Sequence, residues 1–269
     1  MNQNIALPSR ANRTPFYALA ALAGGLMLSP FAYADVTAEE RMSFTLRDGA
    51  RISLSNVNGN VLIEGSDGQA VEMLVLKKAG SQEALDEIEI EIDESAGKLD
   101  IETRLPKSKG MLKSFFSGDA DGASVEYSLS VPQGVELRDI VSVNGEIEII
   151  GVRGNIEAST VNGAISLEGA SGDLELATVN GAIRASMDAL GASQDVDLES
   201  VNGGIRLDLP ADSGARVDAN TVNGGIGFSD FGLRADKGLV GRSLSGVIGD
   251  GSANLNINTV NGAINVSKH

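Results

Sequence analysis

From Glu40 to Lys78, apolar and polar residues alternate with a period of two. Met42, Phe44 and Leu46 form one run, Asp48-Gly49 is a turn signal, Ile52 and Leu54 continue in a second run, and Val71 to Lys77 is a third. The alternation returns at Ile88, Ile90 and Ile92, at Leu99 and Ile101, and at Val125, Tyr127 and Leu129. Strands with one face on a core and the other in water give this pattern. Ser81 to Glu87 interrupts it with one short helical turn, for which Ser81 is the expected N-cap.

From Val135 onward the pattern becomes a repeat: apolar-x-apolar-x-Ser/Thr-Val-Asn-Gly-x-Ile-x-apolar. Val-Asn-Gly begins at Val57, Val143, Val161, Val179, Val201, Val222 and Val260. Val143 to Val161 and Val161 to Val179 are steps of 18 residues; the next two steps are 22 and 21. The gap from Val222 to Val260 holds one worn copy, Ser243-Leu244-Ser245-Gly246-Val247. Gly-rich or polar corners such as Gly169-Ala170-Ser171-Gly172-Asp173 separate the units. A unit of this size fits about three short strands and three corners, stacked at a spacing of about 4.8 Å.

Asn-Gly between apolar runs is also a hairpin signal, which would give an antiparallel meander. The apolar parity shifts across the motif, however: Ile156 and Ala158 are even, whereas Val161, Ile165 and Leu167 are odd. A bend between two faces of a coil requires such a shift. The expected fold is therefore all-β, a parallel-β-helix-like β-solenoid of Ser/Thr-Val-Asn-Gly coils with an N-terminal antiparallel β-strand region; the meander is the alternative. The expected divisions are residues 1–34, 35–134 (strands, first repeat copy and an odd loop) and 135–269 (solenoid).

In this reading Val and Ile fill a thin core. Asn58, Asn144, Asn162, Asn180, Asn202, Asn223 and Asn261 stack into an amide ladder. Gly59, Gly145, Gly163, Gly181, Gly203, Gly224 and Gly262 take corners with positive φ. An outward row, Glu157, Glu175, Asp197, Asp218 and finally Asn256, stacks like charges. Solvent and the nearby Arg184 and Arg206 would relieve it, or divalent cations would bridge it.

Composition narrows the chemistry. Aromatics are 4% of the chain, Trp is absent and there are 33 Gly, which suits a thin stack rather than a thick globular core. The net charge of −16 disfavours nucleic acid, whose phosphates it repels. With no Cys and His269 as the single His, thiolate chemistry is impossible, and a Ser-His-Asp triad or a His-ligated metal is not expected. No cofactor is implied.

Residues 1–34 read as a cleaved signal peptide: Arg10 and Arg13, an apolar stretch from Phe16 to Leu28, then Ala32-Tyr33-Ala34 as the cleavage site. No later apolar run is long enough to span a bilayer, and no lipid-anchor Cys exists, so a periplasmic or secreted location is expected.

One stretch, Leu105 to Gly122, stands apart. Lys107, Lys109 and Lys113 are basic in an acidic chain, and Met111, Leu112, Phe115 and Phe116 are bulky. It reads as a long hairpin loop folded back on the sheet, or as the candidate interaction loop, the one place for membrane contact. Asp119-x-Asp121-Gly122 lacks the further acidic ligands of a calcium loop and reads as a turn.

Three phrases carry a resemblance: Ile52 to Gly65 around the first Val-Asn-Gly, Tyr127 to Val135, and Val141 to Gly151. They resemble the bacterial putative-adhesin family with β-strand repeats, over about Glu40 to Val266. The resemblance implies an extracytoplasmic β-solenoid-like domain with adhesive or envelope-associated roles and no catalytic residues to transfer. The expected function is a non-enzymatic, adhesin-like protein giving a rigid binding or scaffolding surface in the cell envelope. Its partners would be an envelope protein, a surface polymer or, because the chain ends on a full repeat with an open edge, another copy end to end. A polysaccharide-active lyase or hydrolase and a self-assembling scaffold are the alternatives.

Overall fold

The computed structural model describes residues 35–47, 49–105, 122–238 and 241–269. The signal-peptide residues 1–34 and the loop residues Lys107, Lys109, Met111, Leu112, Lys113, Phe115 and Phe116 lie outside them, as do Asp119 and Asp121.

The strands build two facing sheets of ten and eleven strands. Each coil contributes one strand to each sheet. In the Val161 coil, Ile156–Asn162 lies in the eleven-stranded sheet, here the first, and Ile165–Ala170 in the ten-stranded second. Neighbouring coils pair in parallel and in register, Ile156 with Leu174 and Ile165 with Ile183. The meander is thereby excluded. So is the expected three-strand coil: strands of seven and six residues leave only Gly163-Ala164 for one corner and 171–173 for the other. Too few residues remain for a third strand.

The core between the sheets comes from the period-two alternation. Ile156, Ala158, Ile165 and Leu167 are buried, with Leu174, Leu176 and Ile183 stacked beside them. Aliphatic ladders of this kind keep a thin core dry without large rings.

Spatial order departs from chain order. Along the stack the coils run Val57, Val143, Val161, Val179, Val201, Val260 and Val222. The final repeat, Ala253–Asn261 with Ile264–Lys268, is inserted between the Val201 and Val222 coils. The open C-terminal edge expected from the sequence is therefore not there. The residues between Val222 and Val260 make the detour that allows the insertion. A short 3₁₀ turn, Ser229–Phe231, lies beside the last strand, where the Lys268 N–H donates to Asp230 and the Lys268 ammonium lies 4.8 Å from the Phe231 ring centre. The worn copy at Leu244 is no coil. Its strand, Arg242–Ile248, runs antiparallel along Ala215–Asn223 and closes that end.

At the other end, Lys98–Arg104 and Ser124–Pro132 form an additional coil beside the Val57 coil. Ala70–Ala79 and Val36–Thr45 then extend the second sheet antiparallel, and Glu89–Ser95 extends the first. This is the expected N-terminal antiparallel region, and both sheets run through it without a break into the repeat coils. The edge strands carry Glu39, Glu40 and Arg41 on one sheet and Glu89, Glu91, Asp93 and Glu94 on the other, charges that discourage edge pairing. The helix Gln82–Asp86 starts as expected, with the Ala84 N–H donating to Ser81 Oγ at 3.2 Å.

Candidate functional site

The corner motif resolves into four rows, each with its own physical reason. The Asn side chains form one continuous ladder. Each Nδ2 donates to the Oδ1 of the next rung: Asn144 to Asn58, Asn162 to Asn144, Asn180 to Asn162, Asn202 to Asn180, Asn261 to Asn202 and Asn223 to Asn261, all at 2.8–2.9 Å. The far end is closed by Asn58, whose amide donates to the Ala123 carbonyl.

The Gly row is present for a different reason from the one the sequence suggested. Of the seven corner glycines only Gly59 has a positive φ. At Gly145, Gly163, Gly181, Gly203, Gly262 and Gly224 the backbone conformation is open to any residue. A Cβ there would instead overlap the carbonyl oxygen of the corner glycine one coil away. Close approach of backbones, not a left-handed turn, demands Gly.

The residue before Val has a role that the repeat pattern alone does not reveal. Thr160, Thr178, Ser200, Thr221 and Thr259 are buried, and their hydroxyls donate to the carbonyls of Gly145, Gly163, Gly181, Gly262 and Gly203. In the first copy Asn56 stands in this place, and its amide takes the carbonyls of Gly59 and Val125. Ser142 next to it, whose counterpart acceptor would be Gly59, has a buried hydroxyl without a partner among the described residues.

The Val row overturns the reading of Val as core. Val57, Val143, Val161, Val179, Val201, Val260 and Val222 are each 36–45% exposed. The first strand holds its even parity through Thr160, so Val161 points outward, and the parity shift falls after it, at the corner. Parity alone could have revealed this: Ile156, Ala158 and Thr160 share one face, and Val161 must take the other. Seven rungs at about 4.8 Å make a straight apolar stripe roughly 30 Å long. Beside it runs a mixed row, Val141, Ser159, Ala177, Glu199, Asn258 and Asn220. From Val143 onward the two rows line a shallow groove of about 760 Å³, which Arg242 and Gly238 border at one end.

One row further out, Glu157, Glu175, Asp197, Asn256 and Asp218 align in that spatial order. Asn256 falls between two carboxylates and donates to Asp197 at 2.7 Å, while Arg138 stands 3.8 Å from Glu157 at the row's end. Arg184 and Arg206 lie in the opposite sheet and cannot relieve this row. Among the described residues no three acidic groups are arranged to hold a metal ion.

Among the described residues no helix is long and apolar enough to cross a membrane.

The model of the Toastrack DUF4097 family matches residues 39–267. No curated protein matches the chain. Among solved structures it is similar to a putative cell adhesion protein from Clostridium sporogenes, with 14% identity, 87% of this chain and 100% of that one covered, and a TM-score of 0.49. Putative adhesins from Parabacteroides merdae and Bacteroides fragilis are also similar, at 10% and 9% identity. Both alignments cover 86% of this chain, with 96% and 97% of the respective structures, at TM-scores of 0.36 and 0.31.

Proposed function

The chain belongs to the Toastrack DUF4097 family, and from that premise we propose that it is a non-enzymatic, adhesin-like β-solenoid that offers a rigid binding surface in the cell envelope, with the valine stripe as the binding face. The carrying observation is the row of seven valines, half-exposed and in register, on a scaffold that could have placed any polar residue there. An apolar row of this length is an unfavourable surface unless something covers it. Covering each rung returns on the order of 1 kcal/mol, and the amide and hydroxyl ladders beneath hold the rungs fixed, so little ordering entropy is lost on binding. The acidic rows follow coil register, as solvated ladder residues do, rather than converging as an acid/base pair would. The signal peptide read at residues 1–34 supports an extracytoplasmic setting, periplasmic or secreted.

The test is co-sedimentation of the purified protein with envelope material from the parent bacterium. Val→Thr at positions 161, 179 and 201 together keeps the β-branched shape and replaces one methyl per rung with a hydroxyl. The wild type is expected to co-sediment and the triple variant to lose at least tenfold in affinity while remaining folded. Equal binding by the two removes the stripe as the binding face.

A further inference from the structure

We infer that Asn223 is a site of spontaneous covalent modification, deamidation to aspartate or isoaspartate, and that the solenoid shields the other six Asn-Gly pairs from the same reaction. The chemistry is intramolecular. The Gly nitrogen following Asn gives up its proton to solvent base and attacks the Asn side-chain Cγ. A C–N bond forms, the C–Nδ2 bond breaks, and the amide leaves as ammonia. Water then opens the cyclic imide at either carbonyl. Asn-Gly is the dipeptide most open to this, because no side chain on Gly obstructs the attack, and the chain carries seven of them.

The reaction needs a Gly N–H that can turn away from its native partner. In six coils it cannot without cost. The N–H of Gly59, Gly145, Gly163, Gly181, Gly203 and Gly262 each donates to the backbone carbonyl of an Asn one coil away, at 2.9–3.1 Å: Asn144, Asn162, Asn180, Asn202, Asn261 and Asn223 in turn. The Gly224 N–H has no partner among the described residues. The reason is topological. The Val222 coil is the last in the stack, and its outer neighbour is the antiparallel strand Arg242–Ile248, whose pairing ends at Thr221 with Arg242. Among the described residues no further coil supplies a carbonyl to Gly224.

The Asn223 side chain is also the end of its ladder. It donates to Asn261 Oδ1 at 2.8 Å, and no further amide donates to its own Oδ1 among the described residues. Of the seven pairs, this one alone combines a Gly N–H without a partner among the described residues and an Asn that ends its ladder on the acceptor side. Conversion to Asp turns the terminal donor into an acceptor facing Asn261 Oδ1, and adds a negative charge one residue from Val222, the last rung of the apolar stripe. The end coil would loosen with age while the interior coils keep their register.

The experiment is peptide mapping by mass spectrometry of the folded full chain, incubated at mildly alkaline pH and sampled over time, with a urea-unfolded sample alongside. The tryptic peptide from Val217 to Arg234 reports Asn223, and that from Asp139 to Arg153 reports Asn144. In urea the Asn-Gly pairs should convert at similar rates. In the folded protein Asn223 is expected to convert at close to its unfolded rate and the other six at least tenfold more slowly. Asn223→Asp, prepared directly, should have a lower Tm than the wild type. Uniform rates across the folded chain, a faster rate at any other rung, or an intact Asn223 would each overturn the inference.

Discussion

At the scale of residues, the corner phrase is four devices packed into adjacent positions, and they were unequally legible. Asn was readable, because a short amide repeated at coil spacing has an obvious partner in its own copy. Gly was readable as a requirement but not in its reason: Gly181 is open in φ and closed in space by the Gly163 carbonyl. Gly181→Ala is therefore expected to destabilise the fold by about 3 kcal/mol, measured by urea unfolding, although a positive-φ explanation would not apply to it. A second residue-level test lies in the core, where Tyr127 shares a hydrogen bond of 2.7 Å with Thr103. Burial pushes the Tyr127 phenol up to about 12 from its ordinary 10. The group is neutral in the folded chain and ionises more readily in the unfolded one. Its contribution to stability is then complete below pH 10 and is lost as pH rises toward about 12. Tyr127→Phe should flatten that alkaline decline in Tm, at a cost of about 1 kcal/mol near neutrality from the unpaired Thr103 hydroxyl.

At the scale of elements, strand alternation gave the coil but not its cross-section. The three-strand coil failed because residues spent on strands that continue through Asn162 leave corners of only two and three residues. The inward set was predictable wherever parity was unbroken, as at Leu174 and Leu176. It misled at Val161, where one apolar residue precedes the shift and was counted with Ile165 on the far side. The strand therefore carries a core face and an exposed face that differ sharply in energetic weight. Leu176→Ala is expected to cost about 2–5 kcal/mol by leaving a cavity in the aliphatic ladder, whereas Val179→Thr should stay within about 0.5 kcal/mol. Equilibrium unfolding of the two variants side by side checks the assignment.

At the scale of the whole molecule, chain order proved an incomplete guide. Stacking one coil per repeat assumes that successive copies are neighbours. The insertion of Ala253–Asn261 between two earlier coils breaks that rule. No local pattern announces it, because every Val-Asn-Gly coil has the same edges and can pair with any other. What the 38-residue step from Val222 to Val260 does announce is a detour, and the detour closes the end that would otherwise have been open to another copy. The long side of the stack, with its valine row, is the surface proposed to meet a partner. Family membership sets the fold, and the outward valines carry the proposal for its function.

The chain contains no Cys, so single thiols can be placed at will and read without background. The most direct measurement is the labelling rate of Val179→Cys, Leu176→Cys and Arg184→Cys by a small thiol reagent, with and without envelope material from the parent bacterium. Fast labelling is expected at 179 and 184, protection at 176, and a slowing at 179 alone when envelope is added. Protection at 179 in the free protein, or equal rates at 179 with and without envelope, would contradict the proposed binding face.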